Sequence, residues 1–269
     1  MSKISKLFKA LSLIIKQPAL LNKVLDDADV NRQEVISKYG LTKGLKTVDI
    51  NTLFPDFDET VEPFCAMDGG STPIDLALLK ALVRNKKDCM YFEIGTWRGE
   101  SAANAASLAK LCVTLNLPDE EMIQMGMDKE YVGLHRFFSK KMNNIIHLQA
   151  NSQTYDFSEH HKKYDVVFID GDHHYLSVKS DTQNAFKLLK DDSSVIVWHD
   201  YGNTPNNIRW DVLNGILDGT PTEKHQHLCR VSNTLCAIYT TQLVKAEHRK
   251  LYSEPNKYFS ISVKTKSIT

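Results

Sequence analysis

Two short apolar runs in the sequence are each followed at once by acidic and imidazole side chains. These are Asp170, Asp172 and His173 after the first run, and His199 and Asp200 after the second. If both runs are strands of one parallel sheet, their carboxyl ends open on the same edge and these side chains converge. Two carboxylates and an imidazole suit an octahedral divalent cation such as Mg²⁺ or Mn²⁺, and they also suit Fe(II). We therefore predict Asp170, His199 and Asp200 as metal ligands, with the choice among these metals open.

A metal at this edge would make a poor nucleophile reactive. A hydroxyl group coordinated to a cation has a lowered pKa, and a nearby base can then accept its proton. His173 has the ordinary pKa best suited to that task, and Asp172 is the second candidate. We predict these two as the catalytic residues. The alternative is that Asp170 or His199 caps a helix or bonds to the backbone.

A third candidate feature is the turn formed by residues 93–101. It leaves an apolar run, contains Gly95 and Gly99, and enters an alanine-rich stretch. A dinucleotide-binding loop would carry glycine where Trp97 stands, so that the backbone could approach a pyrophosphate. Glu93 would repel a phosphate but attract a cationic amine or a sulfonium. S-adenosylmethionine carries both cations, so the turn predicts this ligand.

The next apolar run ends at Asn116, about 20 residues beyond the turn, where a ribose-binding polar side chain is expected. The usual residue at that position is acidic, and an asparagine accepts a hydrogen bond from a ribose hydroxyl less strongly. The alternative is that Glu93 and Asn116 are ordinary polar residues at strand ends.

The elements that must position these residues follow from the apolar pattern. Short apolar runs alternate with stretches of helical periodicity, which is typical of a parallel sheet covered on both faces. The predicted strands are 89–94, 111–115, 145–148, 166–169, 195–198, 228–231 and 234–240, and the predicted helices are 74–84, 175–189 and 208–217. The last two strands are joined around Ser232 and Asn233, and so short a connection implies an antiparallel hairpin.

Over about residues 89–201 the chain resembles the class I S-adenosylmethionine-dependent methyltransferases. In particular, it is similar to the metal-dependent subgroup that includes catechol O-methyltransferase-like and macrolide sugar O-methyltransferase-like enzymes. The resemblance implies an α/β fold with a Rossmann-like seven-stranded sheet, mostly parallel with a C-terminal antiparallel hairpin. The cofactor contacts are expected at Glu93, Gly95, Thr96, Trp97, Gly99, Ser101, Asn116, Ser152, Gln153 and Asp170, with Ser152 and Gln153 beside the adenine.

In that subgroup the same two strand ends supply the metal ligands, and the base is the third residue after the first ligand. This base falls on His173, where the family usually has lysine. The family's later ligands are Asp-Asn, where this chain has His199 and Asp200.

We divide the chain into a helical N-terminal appendage or lid (1–60), a connector with the first helix (61–88), the S-adenosylmethionine-binding domain (89–245) and a C-terminal tail (246–269). Apolar residues recur at helical spacing at Leu7, Leu11, Ile14 and Ile15, and again at Leu20, Leu21, Val24 and Leu25. We expect these helices to pack against the body of the protein, with a helix on a membrane surface as the alternative. They could also join two copies into a homodimer. The Pro- and Gly-rich segment 64–71 is expected on the acceptor side.

Composition excludes several classes of protein. The 33 basic and 33 acidic side chains balance, which argues against a nucleic-acid partner. The five cysteines lack CxxC spacing, which favours reduced thiols and a cytoplasmic location. Residues 7–21 are interrupted by Lys9, Lys16 and Pro18 and are shorter than the roughly 20 apolar residues of a membrane span. We expect no transmembrane segment and, without a small-residue cleavage site, no secretory signal.

Our first hypothesis is therefore methyl transfer from S-adenosylmethionine to a hydroxyl of a small polar acceptor, such as a sugar or glycan unit, assisted by a metal. The alternatives are a non-catalytic S-adenosylmethionine-binding protein and an oxygenase-like activity on the same scaffold. The carboxylates of Glu93, Asp170 and Asp200 argue against a non-catalytic protein, because charges at buried strand ends are costly unless they are used or paired.

Overall fold

The computed structural model describes residues 2–16, 28–67, 69–204, 207–250, 252 and 254–268. Within these residues one sheet of nine strands runs in the order β4-β3-β2-β5-β6-β8-β7-β1-β9. The strands are β1 Thr47–Val48, β2 Met90–Ile94, β3 Leu111–Asn116, β4 Ile145–Gln149, β5 Val166–Ile169, β6 Val195–Trp198, β7 Leu228–Val231, β8 Ala237–Tyr239 and β9 Ala246–Glu247.

The central five strands, β4-β3-β2-β5-β6, are parallel, and β8 runs antiparallel to both β6 and β7. The predicted mostly parallel α/β sheet and its C-terminal antiparallel hairpin are therefore confirmed. The predicted count of seven strands is wrong, because β1 pairs parallel with β7, and β9 pairs antiparallel with β1. A strand of two residues is too short to produce an alternating apolar pattern, so β1 and β9 left no signal in the sequence.

The helices are interspersed with these strands along the chain. They are α1 Lys3–Lys16, α2 Ala28–Tyr39, α3 Ile50–Leu53, α4 Pro73–Arg84, α5 Glu100–Ala106, α6 Asp119–Gln124, α7 Lys129–Gly133, α8 Tyr175–Leu188 and α9 Trp210–Gly219, with short 3₁₀ turns at Ser158–His160 and Thr222–His227. Three of them, α4, α8 and α9, occupy the stretches where helical periodicity predicts them. α4 is the best defined at its start, because Thr72 and Asp75 form a capping box and Pro73 occupies its first turn.

The core has two layers, one on each face of the sheet. Alternation along β2 illustrates the division, because Phe92 and Ile94 face one layer while Tyr91 faces the other. The strands β5 and β6 are buried on both faces, which explains why their sequences are continuously apolar. Burial on both faces also fixes the register of the strand ends, and the candidate site is built on those ends.

Segments on both sides of 89–245 are built into this core. α2 packs against α9, and Val35 and Leu45 are buried in the same layer as Phe92 of β2. From the other end of the chain, Arg249 and Lys257 both form ion pairs with Asp49. The sheet therefore draws on the stretches predicted as appendage and tail as well as on the central segment.

α1 differs from the other N-terminal elements because none of its residues is buried. Its apolar side chains are exposed, including Phe8 at 67% and Ile15 at 78%. The expectation that this segment packs against the body of the protein is wrong for residues 3–16. The second group of apolar positions, Leu20, Leu21, Val24 and Leu25, lies outside the described residues. In the part of the chain that the structure describes, no helix is long and apolar enough to cross a bilayer.

Candidate active site

The three predicted metal ligands come together at the carboxyl ends of β5 and β6. These strands pair in register through Ile169 and Trp198, so the residues that follow them are neighbours. Nδ1 of His199 lies 3.1 Å from Oδ1 of Asp170 and 3.6 Å from Oδ2 of Asp200. One ligand atom from each of the three residues falls within 4.8 Å of the other two. The predicted convergence is therefore present.

A fourth carboxylate, which the sequence reasoning missed, holds the other side of the imidazole. Oδ2 of Asp75 lies 3.5 Å from Nε2 of His199, and Asp75 is fully buried. Its other oxygen accepts the backbone N–H of Leu235 at 2.8 Å, while Oδ2 accepts the backbone N–H and the hydroxyl of Thr72. The only signal in the sequence was the spacing of Thr72 and Asp75, which indicates a helix cap. The capping box thus also fixes a carboxylate against His199.

The electrostatics of this cluster favour a positive charge at His199. Burial lowers the pKa of the imidazole, but the carboxylates of Asp170, Asp200 and Asp75 outweigh it and raise the pKa well above its ordinary value. Burial raises the pKa of Asp75 and of Asp200, yet contact with His199 holds both below the ordinary range. Arg209 adds to this at Asp200, with 3.3 Å between Nη1 and Oδ1. A proton or a metal cation can supply the positive charge that three buried or half-buried carboxylates require.

The backbone at Asp200 is strained. Its φ is +59°, in the left-handed region that residues other than glycine rarely adopt. Such strain, of order 1–3 kcal/mol, persists only where the surrounding structure enforces it, and it is concentrated at functional sites. Here Tyr201 is fully buried and its hydroxyl accepts the backbone N–H of Leu45 at 2.8 Å, which anchors the turn.

The two predicted catalytic residues line the same small pocket as Asp170, His199 and Asp200. Nδ1 of His173 is buried and has no hydrogen-bond partner among the described residues. Asp172 is engaged, because it accepts the backbone N–H of His174 at 3.1 Å and the hydroxyl of Ser177 at 2.8 Å, and it also bonds the ring of His174. Of the pair, His173 is the one whose side chain has a nitrogen without a hydrogen-bond partner among the described residues.

Glu93 lies inside the turn that it was predicted to serve. It has no exposed surface, and it accepts hydrogen bonds from the hydroxyls of Tyr91 at 2.8 Å, Thr96 at 3.1 Å and Ser101 at 3.1 Å. Burial raises the pKa of this carboxyl to about 8, although the three hydrogen bonds act to lower it. Glu93 therefore joins β2, the turn and the start of α5, and in this conformation it reaches a ligand only through the side chains that it bonds.

Close packing requires glycine at both positions of the turn, which the sequence did not reveal. Gly95 has φ +90°, and a Cβ there would lie 2.2 Å from the carbonyl oxygen of Asp170. Gly99 has φ +80°, and a Cβ there would lie 2.3 Å from the hydroxyl of Ser139. Glycine at Gly95 therefore lets the turn after β2 touch the turn after β5, which places the predicted cofactor and metal sites side by side.

The predicted ribose and adenine residues lie at the ends of β3 and β4. Oδ1 of Asn116 accepts the backbone N–H of Thr96 at 3.3 Å, so it borders the turn. Gln153 donates to Oδ1 of Asp181 at 3.3 Å and to the hydroxyl of Ser152 at the same distance. Asp181 is buried on α8, burial raises its pKa to about 7, and the sequence gave no reason to single it out.

The connector lies against the start of α5. The backbone N–H of Cys65 donates to Glu100 at 2.7 Å, the Asn104 amide donates to the carbonyl of Pro63 at 2.9 Å, and Arg98 donates to the carbonyl of Met67 at 3.2 Å. This segment is therefore positioned beside the predicted cofactor turn.

Trp97 belongs to an aromatic cluster beyond the turn. Its ring stacks on Tyr131 with centroids 4.1 Å apart and meets the edge of His135 at 4.7 Å. Backbone bonds from Arg136 to the carbonyl of Trp97 at 2.7 Å and from Phe138 to the carbonyl of Arg98 at 2.9 Å fasten the same segment. The aromatic partners Tyr131 and His135 were not predicted, because nothing in their spacing relates them to Trp97.

Comparison with known families agrees with this architecture. Residues 92–201, which run from β2 through the turn after β6, match a family model described as a methyltransferase domain. This match supports the methyltransferase domain that the sequence predicted. No curated protein matches the chain.

Several solved structures are similar to it. A candidate methyltransferase from Bacillus halodurans is 18% identical with a TM-score of 0.38, over 48% of this chain and 52% of that one. An S-adenosylmethionine-dependent methyltransferase from Mesorhizobium loti is 16% identical with a TM-score of 0.34, over 47% and 55%. A candidate caffeoyl-CoA O-methyltransferase from Staphylococcus aureus is 19% identical with a TM-score of 0.43, over 66% and 85%. The chain spans about half the length of the first two.

Proposed function

We propose that this protein transfers a methyl group from S-adenosylmethionine to a hydroxyl of a small polar acceptor, such as a sugar or glycan unit, with the help of a divalent cation. The observation that carries the proposal is the meeting of Asp170, His199 and Asp200 within 4.8 Å, directly beside the Gly95 turn. A methyl donor and an activated hydroxyl need to be neighbours, and the two turns touch.

The residues present fit a cation such as Mg²⁺ or Mn²⁺. Two carboxylates and one imidazole supply hard oxygen and nitrogen donors, and Asp75 on Nε2 leaves Nδ1 of His199 directed at Asp170 and Asp200. Histidine ligands of metals commonly present their second nitrogen to a carboxylate in this way. When bound, the cation would lower the pKa of an acceptor hydroxyl and stabilise the oxygen anion.

The cofactor would lie across the ends of β2, β3 and β4. The turn 93–101 would hold the methionine end, Asn116 would bond a ribose hydroxyl, and Ser152 and Gln153 would border the adenine. When bound, S-adenosylmethionine supplies a methyl group on a sulfonium. The part of the connector that contacts α5 and Arg98, at Pro63, Cys65 and Met67, would cover the cofactor and exclude water. Alignment of the two reactants would supply much of the rate enhancement.

His173 would take up the acceptor proton. Its Nδ1 is buried in the shared pocket without a partner among the described residues, which makes it available as a base. Asp172 would act indirectly, because its hydrogen bonds to His174 and Ser177 fix the start of α8 and thereby the position of His173.

Calorimetry and turnover together test the proposal. We expect S-adenosylhomocysteine to bind the metal-supplemented protein, and radiolabelled methyl transfer to hydroxyl acceptors to require Mg²⁺ or Mn²⁺ after chelation. Asp200→Ala, which removes a proposed metal ligand that is not among the expected cofactor contacts, should abolish transfer and spare cofactor binding, whereas Asp192→Ala, in an exposed loop at the other end of β6, should change neither. Absence of S-adenosylhomocysteine binding would refute the proposal. Cofactor binding with no turnover across a panel of sugars and catechols would favour a non-catalytic binding protein. Fe(II)-dependent consumption of O₂ without transfer of the labelled methyl group would favour an oxygenase.

A further inference from the structure

The helix α1 has an apolar stripe that nothing in the described structure covers. At about 100° per residue, six large apolar side chains fall within about 120° of arc. These residues, which we call the α1 stripe, are Ile4, Leu7, Phe8, Leu11, Ile14 and Ile15. None is buried, and five of the six are more than 45% exposed. Because no side chain of α1 packs into the core, the stripe has no evident role in the stability of the fold.

The rest of α1 is basic. Lys3, Lys6, Lys9 and Lys16 occupy the remaining arc together with two serines, Ala10 and Leu13, and residues 3–16 contain no acidic side chain. The whole chain has a formal net charge of zero, so four positive charges on one 14-residue helix are a local concentration. An apolar stripe bordered by lysines is complementary to a surface that is negatively charged and apolar beneath.

We propose that α1 docks on an anionic phospholipid surface, with the α1 stripe inserted among the acyl chains and the lysines against the headgroups. Amphipathic helices that lie in the plane of a bilayer combine a strong apolar face with a polar face rich in lysine. Lysines reach the headgroup level from the sides of such a helix by extending their apolar stems. This interaction is independent of the proposed methyl transfer.

A second copy of the chain fits the stripe less well. A 14-residue helix buries only a few hundred Å² against another helix, well short of the roughly 800 Å² that each partner contributes to a stable interface. The lysines that border the stripe would also face like charges across such a pair. A bilayer needs no partner helix and neutralises the lysines.

The test uses the full chain and vesicles of phosphatidylcholine alone or with about 30% phosphatidylserine. Each lysine near an anionic surface strengthens binding roughly fivefold, so we expect binding to the mixed vesicles to exceed binding to neutral ones by roughly a hundredfold or more at low salt. Raising the salt concentration should reduce this difference, because it shortens the range of the attraction. Equal binding to both vesicle types would overturn the proposal.

Two variants separate the parts of the helix. Phe8→Ser with Leu11→Ser should abolish vesicle binding, and replacing Lys3, Lys6, Lys9 and Lys16 with glutamine should remove the preference for phosphatidylserine. Leu243→Ser, at an apolar residue that is 97% exposed elsewhere, is the matched control and should bind as the unaltered chain does. All three should keep the same melting temperature because they alter no buried side chain. Binding unaffected by the α1 changes, or light scattering that shows a dimer lost with Phe8→Ser and Leu11→Ser, would contradict the proposal.

Discussion

Replacing Glu93 with glutamine should change how the stability of this protein depends on pH. Glu93 is fully buried beneath the cofactor turn, and burial raises its pKa from the ordinary 4.5 to about 8. Glutamine has nearly the same shape and can still accept hydroxyl hydrogen bonds from Tyr91, Thr96 or Ser101, but it cannot ionise. The substitution therefore removes the charge and leaves most of the packing intact.

The direction follows from proton binding. Between pH 4.5 and about 8 the folded protein keeps a proton on Glu93 that the unfolded chain releases. Stability falls with rising pH wherever the folded state binds more protons, so the contribution of Glu93 is fully present below pH 4.5 and is lost by about pH 8. At 1.36 kcal/mol for each pH unit, the total loss is on the order of 5 kcal/mol.

Urea unfolding of the unaltered chain and of Glu93→Gln at intervals from pH 5 to pH 9 measures this effect. The difference in unfolding free energy between the two proteins cancels the other titrating groups, which both share. We expect the unfolding free energy of the variant to rise steadily relative to that of the unaltered chain up to about pH 8, and the difference to stay constant at higher pH. A difference that stays constant across this range, or that moves in favour of the unaltered chain as pH rises, would refute the reasoning.

Three further predictions concern the glycine contact, the buried carboxylate and the base. Gly95→Ala should lower the free energy of unfolding by at least about 3 kcal/mol, because it adds both backbone strain and a clash with the main chain of Asp170. Gly126→Ala is the control, because Gly126 has the same φ of +90° but open space around it, and it should cost about 1–2 kcal/mol. Equal losses in urea unfolding would exclude the clash. Asp75→Asn should weaken Mn²⁺ binding about 10–100-fold in calorimetry because His199 loses its orienting partner, and unchanged affinity would contradict that role. His173→Ala should lower kcat about 10²–10⁴-fold while S-adenosylhomocysteine binding stays constant, and unchanged kcat would exclude His173 as the base.

The sequence predicted the elements that have a strong periodic or continuous apolar pattern. β5 and β6 have the predicted bounds because strands buried on both faces must be apolar throughout. The convergence of Asp170 with His199 followed from the same strands, since parallel neighbours end on one edge. These features depend on local patterns and on one topological rule.

What the sequence did not reveal depends on contacts between distant segments. Asp75 resembled an ordinary helix cap, and only the packing of α4 beside the end of β6 puts it against His199. The glycines of the turn were predicted as cofactor contacts, and the sequence did not indicate that Gly95 also makes room for the backbone of Asp170. The exposure of α1 could not be inferred either, because an amphipathic pattern is the same whether the stripe meets protein, lipid or water.

The contact between Gly95 and the carbonyl of Asp170 joins main chain to main chain. The spacing between the proposed cofactor turn and the proposed metal site therefore depends on the backbone rather than on the side chains around either turn. Substitutions that change the acceptor are therefore expected outside these two turns. If the proposed function holds, a change of acceptor would require changes in the connector and the other segments that border the pocket, because the two turns themselves are held at a fixed distance by their main chains.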